Sequence, residues 1–150
     1  MTQARASGAG SLTKLLTLAS QREREQVAHI ADLETAVAST QSSIEWLDQA
    51  VRTEQEAAQS AGDAARQGLA AYLRGADEKR LALHATRDRL GVELSTARDD
   101  LAALQIERKK FERLVEIANA TARRDQSRRD QARTDEQAAR IVQRNQGVAS

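Results

Sequence analysis

From Leu12 onward the chain can be walked in alternating steps of four and three residues. The walk passes Leu12, Leu16, Ala19, Glu23, Gln26, Ile30, Leu33, Val37, Thr40, Ile44, Leu47, Val51, Glu54, Ala58, Ala61, Ala65, Gly68 and Tyr72. Most of these residues are apolar, and between Ile30 and Val51 the stripe is nearly unbroken. A repeat of 3.5 residues held this long is a coiled-coil seam, because only slightly under-wound helices keep such a stripe turned toward a partner. A second stripe runs through Leu83, Leu90, Leu94, Ala97, Leu101, Leu104, Phe111, Val115, Ala118 and Ala122, then fades into Asp125, Arg129 and Glu136. Polar residues on the seams, Glu23, Gln26 and Glu54 on the first and Arg87 and Arg108 on the second, read as devices that set register.

Composition agrees with helices and excludes most alternatives. With one Trp, one Tyr, one Phe and one Met in 150 residues, the chain lacks the bulky side chains that fill a globular core. It has no Pro to break a helix. It has no Cys, which removes disulfides, thiolate nucleophiles and Cys-based zinc sites together, and is compatible with a reducing cytoplasm. No stretch is long and apolar enough to span a bilayer, and the first ten residues do not resemble a signal peptide.

The two stripes predict an all-α fold, a long two-helix antiparallel coiled-coil hairpin. Gly68, Gly75 and the Ala76-Asp77 pair mark the passage from one stripe to the other, with Gly62 upstream, and each glycine costs about 1 kcal/mol relative to Ala in a helix. The turn is expected near residues 75–77, with Asp77 capping the second helix and Ser11 capping the first. The corresponding organisation is a flexible tail over residues 1–10, a hairpin over 11–145 and a flexible tail over 146–150. Arms of about 60 to 65 residues would each rise roughly 90 to 100 Å.

Charge is unevenly spread. Residues 1–31 carry four basic and two acidic side chains, 32–63 one and seven, 64–106 seven and six, and 107–150 eleven and seven, so both ends are basic and the interior of the first half is acidic. No constellation performs chemistry: His29 and His84 are single and far apart in sequence, and there is no Gly-rich phosphate loop. The chain therefore reads as non-enzymatic, without metal or cofactor. Nucleic acid is a poor partner, because acids interleave the arginines near the C-terminus and stacking aromatics are missing there. Trp46 flanks Ile44 and Leu47, either covering the seam or anchoring a partner, whereas Tyr72 lies on the seam.

Specific resemblance rests on the stretch Glu107-Arg108-Lys109-Lys110-Phe111-Glu112-Arg113-Leu114-Val115-Glu116 and on Arg129-Asp130-Gln131-Ala132-Arg133-Thr134-Asp135-Glu136-Gln137-Ala138, together with an opening Leu12-x-x-Leu15-x-x-Leu18-Ala19. These segments resemble the FliJ family, the small coiled-coil subunit of the bacterial flagellar type III export apparatus. The resemblance implies a hairpin similar to the central stalk of rotary ATPases. It further implies a protein of flagellum biogenesis and motility at the cytoplasmic face of the inner membrane, held there only through the apparatus. Its implied partners are the hexameric export ATPase, the cytoplasmic domain of the export gate and export chaperones; needle-type secretion systems have a related stalk. A free-standing coiled-coil tether or scaffold is the alternative. On the stalk reading, the end with both termini meets the ATPase through Arg123, Arg124, Arg128, Arg129 and Arg133, supported by Leu12, Leu15 and Leu16. Trp46, Leu47, Tyr72, Leu73, Leu81 and His84 are the expected gate or chaperone contacts.

Overall fold

The computed structural model describes residues 2–149, with side chains from residue 8 onward. It consists of two helices, α1 (Thr2–Gln59) and α2 (Asp63–Val148), packed against one another, with no strand among the described residues. The chain divides into two compact units. One holds residues 22–105, and the other combines residues 1–21 with 106–150.

In the unit of residues 22–105 the two helices run antiparallel. The first stripe is its core on α1: Ile30, Leu33, Ile44, Leu47 and Val51 are buried, and Gln26, Val37 and Thr40 are half-buried between them. Leu94 and Ala97 of α2 close on Ile30 and Leu33, with Val37, Leu90 and Leu101 packed around them. Nearer the turn, Leu47 and Val51 meet Ala76, flanked by Leu73 and Leu83. Polar seam residues act across the interface. The Gln26 side-chain amide donates to the Ala97 carbonyl at 2.9 Å, the Arg80 guanidinium donates to Asp48 through Nε at 2.9 Å and Nη2 at 2.8 Å, and Arg87 Nη1 donates to Gln41 at 3.4 Å. Arg98 and Glu34 pair across the two helices at 3.0 Å.

The turn lies at residues 60–62, not at 75–77 as the glycine pattern suggested. Ala61 N–H reaches the Ala58 carbonyl at 3.4 Å to close α1. The Gly62 carbonyl accepts from Ala65 at 3.0 Å and Arg66 at 3.4 Å to open α2. Asp63 begins α2, where a negative charge complements the helix dipole, and it pairs with Arg66 at 3.8 Å. Residues 75–77 continue the helix because packing outweighs the cost of a helical glycine: Ala76 is buried against Leu47 and Val51, and Asp77 pairs with Arg80 rather than capping a new helix. The arms are consequently unequal, 58 and 86 residues.

The expected tails also need correction. Helix α1 already runs from Thr2, so Ser11 lies inside it and Thr13 Oγ1 donates to the Ala9 carbonyl one turn back. Helix α2 runs through residue 146 to Val148, and positions 1 and 150 lie outside the described residues. With no Pro in the chain, nothing in the backbone forces either helix to stop sooner.

In the unit of residues 1–21 and 106–150 the same alternation persists. Ala19 is buried, and Leu12 and Leu16 on α1 and Phe111, Val115 and Ala118 on α2 are half-buried. From Gln126 to Val148, the end of α2, every residue is exposed, so among the described residues this part of α2 packs against no other helix.

Candidate interaction surfaces

The unpartnered part of α2 follows from a sequence built for a helix that needs no core. Its 23 residues, 126–148, are mainly Arg, Gln, Asp, Glu and Ala and rise about 35 Å at 1.5 Å per residue. Side chains one turn apart support it: Gln126 donates to Asp130 at 3.1 Å, Gln131 to Asp135 at 3.0 Å, and Arg140 to Glu136 at 2.7 Å. Such pairs add roughly 0.2 to 0.5 kcal/mol each, which suffices for good helix formers at this length. They also leave the whole circumference open.

The residues singled out for the ATPase fall into two groups. Arg123, Arg124, Arg128, Arg129 and Arg133 are all exposed, the last three on the unpartnered segment. Leu12 and Leu16 are half-buried seam residues, whereas Leu15 stands outside the seam and is 42% exposed. Arg140, Arg144, Ile141 and Val142 extend the exposed segment further than the sequence reading reached. The fading of the second stripe after Ala122 was the available signal.

The residues expected at the gate or chaperones do not gather at the turn. Tyr72, Leu73, Leu81 and His84 lie on α2 at least ten residues beyond Gly62, alongside the Leu47 and Val51 region of α1. Leu47 is only 6% exposed and Leu73 packs against it, so these two hold the hairpin together instead of presenting a surface. His84 is half-buried. Trp46 and Leu81 are each 73% exposed and Tyr72 is 39% exposed, so Trp46 stands away from the seam and does not cover it. An indole exposed to this degree leaves most of its apolar ring in contact with water.

Among the described residues no three His, Cys, Asp or Glu side chains are grouped to hold a metal ion, and no helix is long and apolar enough to cross a membrane. Depressions in the surface are shallow and lined by one or both helices, as between Asp48, Val51, Leu73 and Arg80.

No curated protein and no solved structure matched the chain. A family model described as the flagellar FliJ protein matches residues 8–147, which covers most of both helices and the turn. Its span includes the Leu12 opening, the basic stretch around Phe111 and the exposed C-terminal segment alike. A two-helix protein matched over nearly its whole length in this way belongs to the FliJ family, components of the flagellar export apparatus.

Proposed function

We propose that this chain is a non-catalytic stalk and assembly subunit of the flagellar export apparatus, which docks into the hexameric export ATPase and promotes its assembly and activity. The observation that carries the proposal is the segment 126–148 of α2: a helix exposed along its whole length and bearing Arg128, Arg129, Arg133, Arg140 and Arg144. A lone helix of this kind fits a narrow pore, where a partner contacts its whole circumference. Its arginines offer planar donors to carboxylates lining such a pore. Arg123 and Arg124 continue the basic surface toward the paired helices, where Leu12 and Leu16 hold the base of the segment.

The export gate's cytoplasmic domain and export chaperones are the further partners on this reading. Trp46, Tyr72 and Leu81 offer exposed apolar contact to them, with Leu47 and Leu73 supporting from the core. The protein then works at the cytoplasmic face of the inner membrane.

The test mixes the chain with its cognate export ATPase and measures ATP turnover and hexamer content. Both should rise with the parent chain. Reversing Arg128, Arg129 and Arg133 to Glu should weaken stimulation about tenfold or more, as removing exposed charge attraction lowers association most at low salt, while helicity is unchanged. A parent chain that leaves turnover and hexamer content unaltered would make it a free-standing scaffold. Loss of stimulation on changing Trp46 or Tyr72, with none on reversing the arginines, would mean that the opposite part of the hairpin docks.

A further inference from the structure

The unit of residues 1–21 and 106–150 has two unlike flat faces. In an antiparallel pair, residues one position after the second seam residue of each heptad face each other along one side, as Glu34 and Arg98 do in the other unit. Residues one position before the first seam residue face each other along the opposite side. In this unit the first side holds Thr13, Thr17, Ser20, Lys109, Glu112, Glu116 and Asn119, none of them a large apolar residue. The second side holds Leu15 and Leu18 from α1 and Leu114 and Ile117 from α2, all between 42% and 48% exposed.

Cations surround those four side chains. Lys110 and Arg124 share their side, Lys14 stands at one edge and Arg113, paired with Glu116 at 3.1 Å, at the other, and the one acidic residue on the side itself, Glu107, is half-buried. The chain has four lysines in all, and Lys14 and Lys110 make no ion pair or hydrogen bond among the described residues. By count, residues 1–21 carry two basic side chains and no acidic one, and 106–150 carry eleven and seven, so the unit is +6 in a chain of net charge +1. A second copy meeting this face in the same way would bring Lys14, Lys110 and Arg113 against their own images, so like charges oppose self-association. A flat apolar strip with a basic margin fits an anionic surface into which shallow apolar side chains can dip.

We propose that this face, Leu15, Leu18, Leu114 and Ile117 with Lys14, Lys110 and Arg113, lies directly on an anionic lipid bilayer. The apolar residues enter the headgroup boundary and the lysine stems reach along it so that their ammonium groups meet lipid phosphates. The protein thus has a contact with the membrane of its own, separate from any made through the export apparatus.

Sedimentation of the full chain with vesicles tests this without any other protein. The parent should bind vesicles of phosphatidylglycerol and phosphatidylethanolamine, bind phosphatidylcholine vesicles at least about tenfold less, and release as salt rises. The pair Lys109 and Lys110 separates a face from mere net charge, because adjacent residues point about 100° apart on a helix. Lys110→Glu should lower partitioning about 25-fold, since each basic residue near an anionic surface contributes about fivefold and reversal counts twice. Lys109→Glu, with the same change in net charge, should lower it less than about fivefold. Leu114→Gln combined with Ile117→Gln should lower it about tenfold with helicity retained, both positions being surface-exposed. Absence of binding to anionic vesicles, or equal losses for Lys109→Glu and Lys110→Glu, would overturn the proposal. Capture of an acidic amphipathic helix in place of vesicles would also overturn it and assign the face to a protein partner.

Discussion

Leu47→Ala measures how much of the hairpin's stability resides in its seam. Leu47 is 6% exposed and sits among Val51, Ala76, Leu73 and Leu83. Truncation removes three carbons from this contact, worth about 2.4 kcal/mol at roughly 0.8 kcal/mol each. In a closed core, an unfilled cavity raises the loss toward about 5 kcal/mol. Here Leu73 and Leu83 are half-buried at the edge of a two-helix interface, so water and neighbouring side chains can fill the space. The expected loss is therefore about 2 to 3 kcal/mol, or a fall in Tm of about 4 to 12 °C for a chain of this size. Leu81→Ala removes the same atoms from a side chain that is 73% exposed and should change stability by less than about 0.5 kcal/mol. Urea unfolding followed by far-UV circular dichroism reads both, with an unchanged slope showing that the surface exposed on unfolding is the same. A loss below about 1 kcal/mol at Leu47, or an equal loss at Leu81, would refute the packing described.

Two further outcomes follow from the turn and the seam. Inserting Gly-Ser after Ala61 lengthens an exposed turn and should cost less than about 1 kcal/mol, whereas the same insertion after Gly75 rotates α2 against α1 and should remove most of the cooperative transition; equal tolerance at both places would contradict a turn at residues 60–62. Gln26→Ala deletes a half-buried amide that donates to Ala97 and should cost about 1 kcal/mol, while Glu54→Ala, at an exposed position, should cost almost nothing; thermal unfolding that ranks them the other way would show that Gln26 does not pin the register.

Much of the fold was legible in the order of residues, because a coiled-coil seam is a periodic property and needs no knowledge of the partner. The stripe read from Leu12 through Val51 to Ala58 contains the buried residues of α1, and the stripe from Leu83 to Ala118 contains Leu94 and Ala97 of α2 but not the buried Ala76. What the stripes taken separately could not decide was how they slide past each other, since Gly62, Gly68 and Gly75 interrupt a helix at similar cost. The pairing of the two helices decides it. With the turn at residues 60–62, the seams set Leu12 and Leu16 level with Val115 and Phe111; a turn at 75–77 would move the facing positions about thirty residues along α2, to Asn145 and Ile141, and take Phe111 and Val115 away from them. A trace of this was present in the sequence. Carried backward from Leu83 in steps of three and four, the second stripe reaches Arg80, Ala76, Leu73 and Leu69, out of phase by one residue with Tyr72 and Gly68 of the first.

The interaction surfaces divide in the same way. The arginines at residues 123–133 could be named from sequence because their density rises as the apolar seam ends. Whether Trp46 faces out while Leu47 faces in depends on which side of α1 meets α2, and only the packed pair settles it. The clearest case is Leu15, Leu18, Leu114 and Ile117, nearly a hundred residues apart along the chain. Sequence alone determines that each lies off its own seam; their place on one side of the molecule arises because antiparallel pairing brings the matching flanks of α1 and α2 together.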